Sequence, residues 1–111
     1  MASRDPDEVA FEAAVKRLIP GYLAKRAKDL ADLRDACRRA DLSVVKDIGH
    51  RLAGSGSSYG FVTLTVIGRA LEAAAEASDL AAIAPLISEF TAALADASSA
   101  IPRPEDFPGA T

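Results

Sequence analysis

Apolar residues return at intervals of three and four in one segment after another, and that rhythm leaves helices as the building elements. Between Asp41 and Gly60 the stripe is Val45, Ile48, Leu52, Ser55 and Tyr59. The next segment carries Phe61, Leu64, Gly68, Leu71 and Ala75, with Thr65, Arg69, Glu72 and Glu76 as its polar stripe. A further one runs through Leu80, Ile83, Ile87, Phe90, Leu94 and Ala97. There is no period-two alternation, internal repeat or Gly-rich phosphate loop. Alanine is abundant and Trp absent, which favours packed helices over sheet. A length of 111 residues, half of them hydrophobic, suits one domain with a real core.

Upstream, Asp5-Pro6-Asp7-Glu8 is a helix start: Asp5 caps, Pro6 suits the first position, and the acids complement the dipole. Phe11, Ala14, Val15 and Leu18 continue one apolar face. Pro20-Gly21 predicts an interruption near Arg17 or Leu18. A second helix then carries Leu23, Ala27, Leu30, Leu33 or Arg34, Cys37 and Ala40, with Lys25, Lys28, Asp29, Asp32, Asp35 and Arg39 facing water. Pro85 predicts a kink, or a restart near Ala84. The expectation is therefore five helices: an all-α antiparallel four-helix bundle, up-down-up-down, capped by a short accessory N-terminal helix. The bundle domain spans 1–101, and PRPEDFPGAT makes 102–111 a flexible tail.

Several functions are disfavoured. One cysteine, Cys37, on an apolar stripe is a small core residue; it forms no internal disulfide and fits a reducing compartment. The run MASRDPDE is no signal peptide, and no apolar run approaches the ~18 residues of a membrane span, so a soluble cytoplasmic protein is expected. Residues 16–51 hold ten Lys and Arg against five Asp, although the whole chain carries −3. That half is suited to meet something negative. Nucleic acid fits poorly, since the chain is acidic overall and no aromatics interleave the basic residues. A zinc site would need more ligands than one His and one core Cys.

The sole histidine lies in HRLAGSGSSYG, residues 50–60. At about 100° per residue, His50 stands about 160° from both Ile48 and Leu52, so it faces out while they face in. Lys46, Ala53, Gly54 and Ser57 share its face. Gly54 leaves the space beside the imidazole open to another macromolecule. Lys46 and Arg51 bring positive charge. A Ser–His–Asp triad would need an enclosed cleft, and the neighbouring serines read better as small packing residues, with Ser55 where helices cross closely.

HxLxGSGxxxG followed by Leu71-Glu72 on the next helix resembles the histidine-containing phosphotransfer (HPt) domain of two-component and phosphorelay signalling. Ile19-Pro20-Gly21-Tyr22-Leu23 and the Arg39-Ala40-Asp41 turn extend the resemblance over roughly 10–97. It implies that His50 accepts a phosphoryl group from a receiver-domain aspartate and relays it to another receiver, with Lys46, Arg51, Gly54 and Ser57 in support. It also implies response regulators, and a hybrid histidine kinase, as partners of a monomeric carrier. Such a carrier has no ATP site, no autokinase activity and no cofactor of its own, the receiver supplying Mg²⁺. The family's common Lys three residues after the histidine is here Ala53. Two other readings are the dimerisation and phosphoacceptor region of a histidine kinase and a helical adaptor that is never phosphorylated. Against the kinase, Arg51-Leu52 replace the usual acidic residue and proline, no ATP-binding domain is attached, and a chain opening at Met1 reads as complete.

Overall fold

The computed structural model describes residues 5–100, and among them every regular element is helical. Helix α1 spans Pro6–Arg38, α2 Leu42–Ser55, α3 Val62–Glu76 and α4 Leu80–Ser99, with a 3-10 turn at Ser57–Tyr59 after α2. Asp5, Asp41 and Asp79 cap α1, α2 and α4, accepting from the backbone N–H groups of Asp7, Val44 and Ala82. Gly60, at φ +86°, turns the chain from the 3-10 segment into α3. Ala40 and Ser78 take the same left-handed conformation after α1 and α3.

The helices close a ring: α1 packs on α2, α2 on α3, α3 on α4 and α4 on α1. Inside it lie Leu33, Ala36, Val45, Ile48, Leu52, Leu64, Leu71, Ile83 and Phe90, all essentially without solvent contact. Each fully buried Leu, Ile or Phe contributes about 1.5–3 kcal/mol, so this cluster dominates the stability.

Among the described residues four α-helices form, not the five expected. Pro20 and Gly21 do not interrupt; α1 is continuous for 33 residues, and the separate accessory helix does not exist. Proline deprives the Lys16 carbonyl of its donor, but Pro20 and Lys16 are both exposed, so water can serve that carbonyl. Directly after Pro20-Gly21, Tyr22 and Leu23 are buried and fix the helix to the core. Pro85 likewise stays inside α4, exposed along with Ala81, whose carbonyl it leaves free.

Two further expectations fail. α4, Leu80–Ser99, is long and apolar enough to cross a membrane by length and composition, contrary to the sequence reading. Its Ile83, Phe90, Leu94 and Ala97 are buried in the ring, and the rest of the helix is exposed or half-buried. Asp29 and Thr65, both assigned to the solvent side, are buried. The expected tail at 102–111 lies outside the described residues.

α1 is 13 residues longer than α4, its neighbour, an excess of about 20 Å at 1.5 Å per residue. The surplus is N-terminal. Every described residue before Ala14 is exposed.

Candidate functional site

His50 sits in the middle of α2, its side chain 80% exposed, between the buried Ile48 and Leu52. The outward orientation read from periodicity is the one observed. The residue before it, Gly49, faces α3. A Cβ there would lie 2.7 Å from the Gly68 carbonyl oxygen and 2.9 Å from the Glu72 nitrogen. One on Gly68 would lie 2.5 Å from the Gly49 carbonyl oxygen and 2.7 Å from the Leu52 Cβ. Two facing glycines therefore let α2 and α3 meet backbone to backbone. Gly56, the residue that follows α2, repeats the device against Phe61 and Thr65.

This contact brings Glu72 to the histidine. Glu72 Oε2 stands 3.5 Å from His50 Nδ1, with the carboxylate side chain only 26% exposed. That distance is long for a hydrogen bond and short for a Coulombic contact. A carboxylate on the Nδ1 side favours the tautomer with its proton there, which leaves the Nε2 lone pair free. Sequence reasoning placed Glu72 on the polar stripe of its helix and counted it, with Leu71, toward the family resemblance, but gave it no role beside His50. The signal was available, because a glycine beside the histidine and a glycine four residues before Glu72 are what a close crossing needs.

One helical turn along, Lys46 Nζ lies 3.3 Å from Glu76 Oε1, both side chains more than half exposed. Arg51 leans the other way, its Nη2 3.4 Å from Asp29 Oδ1 of α1. Both cations flank His50 as expected, but each is matched by an acid. The basic half of the sequence is thus not a bare basic surface. Lys28 pairs with Asp32, and Arg38 and Arg39 pair with Asp35. Hydrogen bonds from Arg38 and then Arg39 hold the Asp35 carboxyl below its usual range.

Beneath Arg51 a polar network joins α1 to α2. Ser55 Oγ donates to the Arg51 carbonyl oxygen at 2.7 Å and accepts from Arg26 Nη1 at 3.2 Å. With its proton so committed, it accepts from the Tyr22 hydroxyl at 2.8 Å. Buried Arg26 and Asp29 face each other at 3.0 Å, off the line of a hydrogen bond, so their attraction is Coulombic. The Arg26 guanidinium also lies over the Tyr22 ring, 4.8 Å from its centre, and Tyr22 stacks on Tyr59. Ser55 does sit at a helix contact, as expected, but as a hydrogen-bonding hub. The close crossing belongs to the glycines.

Gly54 is exposed, and a Cβ added there would meet nothing within 4 Å. The way past it to the imidazole is open. Ser57 is a correction: α2 ends at Ser55, so Ser57 no longer continues the histidine's face. Its backbone N–H and hydroxyl both donate to Thr65 Oγ1, at 2.8 and 3.0 Å, which also accounts for the burial of Thr65. Among the described residues no group of three or more His, Cys, Asp or Glu side chains is placed to hold a metal ion.

Comparison with known proteins adds one finding. Searches of curated proteins and of solved structures returned no match. A family model described as Hpt domain matches residues 18–100, which takes in the whole ring from the last turns before Tyr22 to the end of α4. The all-helical ring, the outward histidine on its second helix and a family match over most of the chain agree, and the chain belongs to the Hpt domain family.

Proposed function

We infer from membership of this family a role in phosphotransfer in two-component signalling, with receiver domains as the interacting class. We infer that His50 is the phosphoacceptor, taking a phosphoryl group from a receiver's phospho-aspartate and passing it to another receiver. The observation that carries this is a nearly fully exposed imidazole with a carboxylate 3.5 Å from its Nδ1 and open space at Gly54.

In this reading Nε2 attacks phosphorus, the N–P bond forms and the aspartyl O–P bond breaks, returning a carboxylate to the receiver. The imidazole ring gains positive charge as it does so, and Glu72 faces the Nδ1–H that shares it. Phosphoryl transfer rests on positioning and charge stabilisation, so one well-presented nucleophile suffices. The chain supplies no ATP site, autokinase activity or cofactor; the receiver brings Mg²⁺. Lys46 and Arg51 support transfer through charge, in place of the common Lys at the Ala53 position. The helices run up-down-up-down, a reading supported by Lys46 facing Glu76 while His50 faces Glu72. The protein works in the cytoplasm, where response regulators and a hybrid histidine kinase present their receivers.

The test is to mix the protein with a panel of phosphorylated receivers and follow acid-labile label. Label should move to the wild type and not to His50→Gln, whose exposed side chain contributes little to packing. Transfer to His50→Gln at the wild-type rate would overturn the assignment.

A further inference from the structure

The first dozen residues of α1 carry an apolar stripe with no other helix opposite among the described residues. Phe11, Val15 and Leu18 follow the spacing that places Tyr22 in the core. Yet Phe11 is 68% and Leu18 59% exposed. Only the edge of the stripe finds cover, where Phe11, Val15 and Ile19 border a groove against Ser57–Gly60. This overhang also precedes most of the family match, which begins at residue 18.

Charge identifies what covers it. The overhang begins acidic, with Asp7 and Glu8, carries one more acid at its centre, Glu12, and ends basic, with Lys16 and Arg17. Two such arms laid antiparallel set the acidic end of each over the basic end of the other, with Phe11 and Ala14 near the two-fold axis. A parallel pairing would set like over like. The antiparallel overlap also sends the two bundles to opposite ends, so they do not collide.

We propose that residues 6–18 of α1 form an isologous docking surface for a second copy of this chain, giving an antiparallel two-helix contact. The inference stands apart from phosphotransfer, because His50 lies on α2 outside the contact. It departs from the monomeric carrier that the family resemblance implies. A contact of about thirteen residues per arm belongs with weak, transient interfaces, below about 1,200 Å² in total.

Sedimentation equilibrium on the full chain tests it, from micromolar to near-millimolar concentration. Wild type should show a concentration-dependent monomer–dimer equilibrium that weakens with added salt. Phe11→Glu with Leu18→Glu should abolish it while leaving the melting temperature of the bundle unchanged. Lys16→Glu/Arg17→Glu makes an all-acidic arm, and Asp7→Lys/Glu8→Lys one that is basic at both ends with Glu12 between them. Each variant alone should stay monomeric, and an equimolar mixture should form heterodimers. A wild type that remains monomeric throughout overturns the proposal, as does a mixture that fails to associate. Ile101→Ser/Phe107→Ser should leave association unchanged. Dimers that appear only in that variant would mean that residues 101–111 cover the stripe, and would equally overturn it.

Discussion

Gly68→Ala and Gly54→Ala make the same chemical change in helices next to the same histidine, and they should move stability in opposite directions. Replacing glycine by alanine in a helix interior gains about 0.5–1 kcal/mol when the methyl group finds room. At Gly54 it meets nothing within 4 Å, so the gain should be realised. At Gly68 the methyl carbon would lie 2.5 Å from the Gly49 carbonyl oxygen and 2.7 Å from the Leu52 Cβ, against ordinary carbon contacts of about 3.5–4.0 Å. The first obstacle is backbone, so no rotamer change relieves it, and α2 and α3 must part by roughly 1 Å. Overpacking of this kind costs about 1–3 kcal/mol. With about 4–8 °C in Tm per kcal/mol for a domain of this size, Gly54→Ala should melt a few degrees above wild type and Gly68→Ala well below it. Far-UV circular dichroism melts decide the matter. Gly68→Ala should also lose part of the His50–Glu72 contact, visible as a changed imidazole resonance. Gly54→Leu should keep the stability yet slow phosphotransfer by about ten-fold or more, because misplacing reacting groups by about 1 Å can cost 100-fold. If Gly68→Ala melts at or above Gly54→Ala, the close crossing does not constrain the fold and the account of how Glu72 reaches His50 fails.

Three further outcomes follow from the same geometry. Glu72→Gln should slow transfer by up to about five-fold, since a partly exposed charge contact is worth up to ~1 kcal/mol, with little change in melting; an unchanged rate removes Glu72 from the mechanism. Lys46→Ala and Arg51→Ala should each lower the transfer rate modestly, with the gap to wild type closing as salt rises, and equal rates at low salt would show that docking rests on apolar contact. Asp29→Ala leaves Arg26 buried without its counter-charge and should cost about 3–5 kcal/mol, whereas Asp32→Ala, which frees only an exposed lysine, should cost almost nothing; equal denaturant midpoints for the two would refute the buried network.

What could be read from the sequence was whatever depends on near neighbours. Asp5 was legible as a cap because the group it accepts from is two residues on. The outward turn of His50 followed from Ile48 and Leu52, both fully buried. The failures share one cause, a partner distant in the chain. Pro20-Gly21 is a strong local break signal, overridden by the burial of Tyr22 and Leu23 against other elements. Thr65 and Asp29 look like surface residues until Ser57 and Arg51 arrive to satisfy them. Tyr22, Arg26, Asp29 and Leu33 do repeat at helical spacing, so a polar pair inside an apolar stripe was the visible trace of the network. Gly49 and Gly68 announce a close crossing only once it is known that their two helices face each other.

The central claim is that the phosphoryl group resides on Nε2 of His50. Fragmentation that preserves the P–N bond, applied to protein charged by a phosphorylated receiver, locates the group, and nitrogen-edited NMR of the same sample reports which ring nitrogen carries it. The account predicts a single phosphohistidine at residue 50, substituted at Nε2 with Nδ1 protonated toward Glu72. Phosphate on any other residue, or on Nδ1 of His50, would contradict it.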